Sequence, residues 1–465
     1  MSNAVAGIRS HLTLALCTLL HAFTHAFGVL LVPLYLIIVA DLHLRGVWQA
    51  SLVVTIYGFV YCVSSYIGGM LADRFDRRWL LGVGLAGNSL AIIGMGLTRQ
   101  YEMLVAFGVL AGMFGTLFHP SANALVPAHY PKSPGMAIGI LGMGSGLGFF
   151  AGPHFAGWRA QAAGAWQFGT IANWQRPCIE MGMAGLIVSV IFVIVARETR
   201  KHDATHRGAR CVPDPDEDDA MLPARVAVEA IVTELRGKPE TGGHPMGSTL
   251  RRRVIAIAGV LGLRDFVGIA SLTAVSLYLQ KAHGYDAKHA GFIVGGMMLF
   301  SILVNPLAVY FSPGRRRLPM LAASLIGAGM LISLTPLVAL RWVFVQLCVS
   351  QAFQLGSYAI SDAAMLERVE PAVRGRVVGL FLTLAGTFAS LSPWAIGYWV
   401  DHLGERSHAA SGFVGLFVTL GAMMALASLS TPLIGRLSSG TAIATARSET
   451  SDAVIAGKRA AEAIL

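Results

Sequence analysis

Gly69-Met70-Leu71-Ala72-Asp73-Arg74-Phe75-Asp76-Arg77-Arg78 lies between two long apolar runs. Two helices joined by so short a turn leave almost no backbone to spare. Gly69 is expected to let them approach, and the charges of Asp73, Arg74, Arg77 and Arg78 stand where the chain must leave hydrocarbon. The rest of the composition fits a membrane protein. Hydrophobic residues make up 55% of the 465, charged residues only 13%, and mean hydropathy is +0.63. A soluble domain carries roughly 25% charge.

A run needs about 20 apolar residues to cross the hydrocarbon core. Twelve such runs, α1 to α12, are legible near 12–40, 47–70, 79–98, 102–126, 134–157, 178–196, 254–280, 288–311, 318–339, 342–366, 373–400 and 412–434. The expected fold is an all-α membrane protein with twelve transmembrane helices in two pseudo-symmetric six-helix halves. The expected boundaries are a first half over 1–196, a linker over 197–253, a second half over 254–436 and a tail over 437–465. The first run is too long for a signal-peptide core and lacks a small-residue cleavage pattern, so it is retained as α1. With both termini cytoplasmic, 26 of the 35 Lys and Arg fall on the cytoplasmic side, as the charge bias of membrane loops requires. That accounts for the net charge of +10 without a nucleic-acid partner. An inner (cytoplasmic) membrane location follows.

The chain repeats itself. Val32-Pro33-Leu34-Tyr35-Leu36 matches Val275-Ser276-Leu277-Tyr278-Leu279, and Pro131, Gly135 and Gly139 match Pro371, Gly375 and Gly379. The offsets are 243 and 240, so the two halves share a layout. With the loop spacing G-x-L-A-D-R-x-x-R-R, the chain resembles the major facilitator superfamily of twelve-helix secondary transporters. One departure is Asp76, where that family usually has Gly. The resemblance implies a substrate site near midplane between the halves. In a two-fold arrangement the inner end of α2 faces that of α11. An inner gate of Gly69, Asp73, Arg74, Arg77 and Arg78 is therefore expected, in which Asp73, positioned by Arg74 and Arg77, caps the N-terminus of α11. Helix N-termini attract negative charge.

Along α5, Gly144, Gly148 and Gly152 fall on a four-residue period, and Pro153 follows the last of them. The glycines permit close packing and the Gly-Pro pair is expected to bend the helix. This resembles the α5 motif of proton-coupled drug antiporters, with Ala156 in place of a usual Gly. Leu117-Phe118-His119-Pro120-Ser121-Ala122 resembles the α4 region of fosmidomycin-resistance-type exporters. The Arg that many drug antiporters carry in α4 is missing, which excludes coupling through it.

Ionisable residues within the bilayer cost roughly 2.5–3.5 kcal/mol each on insertion scales, so they default to functional roles. His21 and His25 share a face of α1, His119 lies in α4, and Arg264 and Asp265 are adjacent in the middle of α7. These five are the expected substrate and proton pathway. Adjacent helical residues point about 100° apart, so Arg264 and Asp265 need not touch. Asn88 reads as packing glue and Asp362 as a gate or cap residue. The outer loop over 158–177 carries Trp158, Trp166, Phe168 and Trp174, an interfacial belt or a lid over the cavity. Ala224 to Leu235 has the pattern of a short amphipathic helix.

Five scattered cysteines with no C-x-x-C or His/Cys cluster imply no structural disulfide and no metal. No phosphate-binding loop appears, which argues against direct nucleotide drive, and no enzyme activity or cofactor is expected. The expected activity is proton-coupled export of a small organic or drug-like compound by a monomer in the lipid bilayer. The alternatives are proton-coupled uptake of an organic anion, or a transport-inactive receptor or assembly factor on the same scaffold.

Overall fold

The computed structural model describes residues 2–130, 133–161, 172–196, 246–299, 304, 307–308, 310–370 and 373–439. Every described element is helical. Eleven described helices are long and apolar enough to span a membrane. They are α1 Ser10–Asp41, α2 Val47–Arg74, α3 Arg77–Leu97, α4 Tyr101–His129, α5 Met136–Gln161, α6 Gln175–Val195, α7 Ser248–Ala282, α9 Gly314–Leu337, α10 Leu340–Leu366, α11 Arg376–His408 and α12 Ala410–Gly435. The twelfth, α8, is described over Ala287–Leu299 and at scattered positions beyond it. The amphipathic segment expected at 224–235, the tail beyond 439, and Pro131 and Pro371 of the repeat lie outside the described residues. Helix α7 starts six residues before the expected 254, so Arg251, Arg252 and Arg253 fall in its first turns.

Prolines interrupt three of these helices. Pro33, Pro120 and Pro393 lack the N–H that would bond the carbonyl four residues earlier. The chain leaves the α-helix at Leu30–Leu31, at Thr116–Leu117 and at Leu391, just before each of them. The break in α11 also frees the N–H of Trp394, and Thr55 Oγ1 of the other half accepts it at 3.0 Å. At the first repeat motif, Ser276 donates to the Val32 carbonyl at 3.1 Å. Ser276 is the counterpart of Pro33, so the repeated segments of α1 and α7 meet each other across the pseudo-two-fold axis.

Helix packing is tightest along α5. Cβ atoms on Gly144, Gly148 and Gly152 would run into the carbonyls of Thr18, Ala22 and Ala26 of α1. The helix continues unbroken through Pro153, whose carbonyl lies against Gly291 of α8. Glycine spacing on α5 therefore sets one interface within the first half, and the next turn sets one with the second.

The two halves touch at one end and part at the other. The linker end is the one at which α6 stops and α7 starts. At the opposite end, Gly157 packs on Ala287 and Phe150 on Gly295 between α5 and α8. Between α2 and α11, the contacts run Trp48 on Gly397, Gly58 on Ser390 and Cys62 on Gly386. Below these, toward the linker end, Gly69, Gly139, Gly142 and Gly379 have no atom within 4 Å of where a Cβ would stand. Gly69 and Gly379 continue the faces that carry Cys62 and Gly386. The halves form a cleft open at the linker end, and Gly69 meets no neighbouring helix there. Its neighbour Gly68 packs instead, against the Thr116 carbonyl.

Candidate functional site

A cavity of about 430 Å³ occupies the apex of the cleft. Thr24 and His25 of α1, Tyr57 and Tyr61 of α2 and Phe149 of α5 line it from the first half. Asp265 and Thr273 of α7, Gln351, Gln354 and Tyr358 of α10 and Ser390 of α11 line it from the second. Apolar and aromatic walls with a few hydrogen-bonding groups suit a small, largely hydrophobic guest.

Asp265 is the one carboxylate on that wall among the described residues. Its neighbour Arg264 is wholly buried behind it, at 0% exposure against 13% for the Asp265 side chain. Arg264 Nε donates to Asp265 Oδ1 at 2.8 Å. The guanidinium lies 3.7 Å from the Tyr358 ring centroid, and Nη1 donates to Ser361 Oγ at 2.8 Å and to the Ser357 carbonyl at 3.3 Å. The two residues do leave the helix in different directions, but the long arginine side chain folds back to the carboxylate. A buried charge is tolerated only when it is paired, and Asp265 is the anionic partner. Arg264 faces α10 and does not line the cavity.

The three expected histidines come together. His21 Nδ1 is 2.7 Å from the Leu141 carbonyl of α5, and His25 Nε2 is 3.1 Å from His21 Nε2. The ring centre of His119 lies 5.0 Å from that of His21 and 5.8 Å from that of His25. The proline break in α4 sets His119 in the first turn of its second segment. Phe118 stacks on His21, and Phe149 packs on His25. A carbonyl only accepts, so His21 donates from Nδ1. In its neutral form its Nε2 then accepts the N–H of His25. No spacing in the sequence groups His119 with the α1 pair.

Asn88 is fully buried and donates to the Tyr57 hydroxyl at 3.3 Å, which in turn donates to the Thr24 carbonyl at 3.2 Å. It positions a cavity wall and does not reach the cavity itself. Asp362 is exposed one residue beyond Ser361. In the quoted loop, Asp73 and Arg74 are exposed, and Arg77 and Arg78 are half-buried. The unexpected residue is Asp76. Its carboxylate accepts the N–H groups of Arg78 at 2.9 Å and Trp79 at 3.2 Å, capping α3. An Asp just before a helix is a readable N-cap signal. Trp174 is fully buried and donates to Asp41 at 2.8 Å, so it belongs to the core and not to a belt or lid. Trp158 is exposed, beside Arg159, which is ion-paired with Glu180. Trp166 and Phe168 lie outside the described residues.

A helical bundle of two halves around one central cavity defines a membrane transporter and not an enzyme. The sequence profile of the Major Facilitator Superfamily matches residues 14–393, and the chain belongs to that superfamily. It is 28% identical over 357 residues to the tetracenomycin C resistance and export protein of Streptomyces glaucescens, a match covering 68% of this chain. The chain spans only 62% of that relative's length. It is 22% identical over 397 residues to the probable galactarate/D-glucarate transporter of Bacillus subtilis, covering 80% of each. Among solved structures, a bacterial homologue of the human lysosomal transporter Spinster, inward-facing and occupied, superposes with a TM-score of 0.70. That match has 16% identity and covers 91% of this chain and 96% of the other.

Proposed function

We propose that this protein exports a small organic, drug-like compound in exchange for protons, by alternating access in the cytoplasmic membrane. The observation that carries the reading is Asp265, the carboxylate on the cavity wall, in contact with a buried Arg264. Without a proton, Asp265 neutralises Arg264. With one, the buried guanidinium loses the carboxylate it touches, which is costly. The proton therefore changes how α7 is tied to α10 beside the substrate cavity. A ligand that prefers one arrangement shifts the balance between them. The bulk of aromatic and apolar wall supports a drug-like guest, and the name of the Streptomyces relative points the same way.

In this reading the linker end is cytoplasmic, with both termini there, so the cleft faces inward. His25 lines the same cavity, and His21 and His119 pack against His25, so in this reading the three belong to the pathway. The halves are here taken as 1–196 and 254–436, joined by 197–253, with α7 reaching back to Ser248. The galactarate/D-glucarate relative favours uptake of an organic anion instead. Against it stands the placement of Arg264, already held by Asp265 and shielded from the cavity. An anion would have to displace Asp265 to reach it. Flux in proteoliposomes, with imposed proton gradients and panels of drug-like compounds and organic anions, tests the choice. Gradient-driven movement of an anion toward the linker side, with no drug-like compound moved, would overturn the export reading.

A further inference from the structure

We propose that His21, His25 and His119 form a binding site for a divalent transition-metal ion such as zinc, with one coordination position open toward the central cavity. One ligand atom from each of the three imidazoles lies within 4.8 Å of the other two. Zinc binds imidazole nitrogen at about 2.0–2.1 Å in tetrahedral geometry, which places two ligand nitrogens about 3.3 Å apart. The His21 and His25 Nε2 atoms are already 3.1 Å apart. An ion takes the place of the proton between them, which moves to His25 Nδ1 so that the ring stays neutral, and rotation of the third ring completes the triad.

The second observation is the carbonyl behind His21. Histidines that bind metal almost always donate the other ring N–H to a carbonyl or carboxylate, which fixes the tautomer and aims the free nitrogen at the ion. His21 Nδ1 does this to the Leu141 carbonyl at 2.7 Å, leaving its Nε2 lone pair directed at His25. Both α1 histidines therefore present the same nitrogen to one point. Phe118 stacks on the His21 ring and Phe149 packs on that of His25, which restricts both rings.

Three protein nitrogens leave a tetrahedral ion one ligand short, the arrangement that keeps a site open to water or a substrate atom. His25 lines the cavity, so the open position faces solvent or cargo. Imidazole ligands suit zinc, copper, iron and nickel, not magnesium or calcium. With neutral imidazoles the ion retains its positive charge. The fourth ligand best suited to it is an anionic oxygen, a hydroxide or the phenolate or enolate of a bound compound. Asp265 faces the same cavity from the second half, where its charge is already taken up by Arg264.

The test uses the full chain purified with an affinity tag that contains no histidine. Zinc titrated into metal-free protein should bind one ion per chain by calorimetry and elemental analysis. His25→Gln and His119→Ala should each weaken that binding at least a hundredfold. His119→Cys, which replaces one zinc ligand by another, should restore it. His289→Ala, at the exposed His289–Asp286 pair, should leave it unchanged. Cobalt in place of zinc should give the visible absorption of a tetrahedral ion, lost in His25→Gln. Thermal unfolding of each variant without metal separates loss of a ligand from loss of fold. Absence of stoichiometric binding in the wild type, or equal binding by a folded His25→Gln/His119→Ala double variant, would overturn the site. The readout is the ion itself, so it stands apart from the outcome of any transport assay.

Discussion

The Asp401 carboxylate of α11 accepts the backbone N–H of Trp48 at 2.8 Å, in the first turn of α2. Its other oxygen takes the Val47 N–H at 3.0 Å. A carboxylate from one half thus caps a helix of the other, at the end away from the linker. The contact expected from the sequence joined the same two helices at their opposite ends, with Asp73 of α2 at the N-terminus of α11. In the proposed transport cycle, alternating access would exchange this clasp for the Asp73 contact.

Removing the Asp401 charge should loosen the closed end. A charged N-cap is worth about 1 kcal/mol, up to about 2 in a partly buried position. Asp401→Asn should therefore raise the fraction open at that end by about fivefold or more. Gly46→Ala should act similarly, because its Cβ would stand 2.6 Å from Asp401 Oδ2. Spin-label distances between the far ends of α2 and α11 should lengthen in both variants. Unaltered distance distributions would remove the clasp from the account.

Glycines at the two ends should respond differently. A Cβ on Gly148 has the Ala22 carbonyl in its way, with the Ala26 nitrogen at 3.0 Å. Gly148→Ala should lower stability by about 1–3 kcal/mol, the range for overpacking. Gly69→Val and Gly379→Val meet open space here. Their melting temperatures should stay near wild type while transport falls, because closure of the linker end brings those faces together. Full transport by both variants would mean that the faces never meet.

These positions also show how far the sequence could be read. The twelve runs, the repeat and the special status of Arg264 and Asp265 were legible, because hydrophobic length and buried charge are local properties. The glycine period of α5 was legible as packing, but its partner α1 was not. Arg264 folds back through flexible methylenes, and no helical angle predicts that. His119 joins His21 and His25 only because Pro120 breaks α4 and the bundle sets that break beside α1. Asp401 sits near the end of a span, where a carboxylate reads as an ordinary loop charge. Trp174 reads as a belt residue until the Asp41 carboxylate is seen beneath it.

Breaking the Arg264–Asp265 pair should be more damaging than removing it whole. Arg264→Met leaves an unpaired carboxylate, and Asp265→Leu leaves a buried guanidinium. Each loss should be about 3–5 kcal/mol, as for other buried pairs. The double variant should recover much of that in thermal unfolding yet transport nothing against a gradient. Additive losses in the double variant would show that the two charges do not depend on each other.

The most direct test of the central claim is flux through Asp265→Asn in proteoliposomes. The amide keeps the shape of the carboxylate and still offers an oxygen to Arg264, but it carries no titratable proton. The account predicts that the variant binds substrate and supports passive exchange at near wild-type rates. It predicts no accumulation when a proton gradient is imposed. Accumulation equal to wild type under that gradient would contradict it and send the proton along another route.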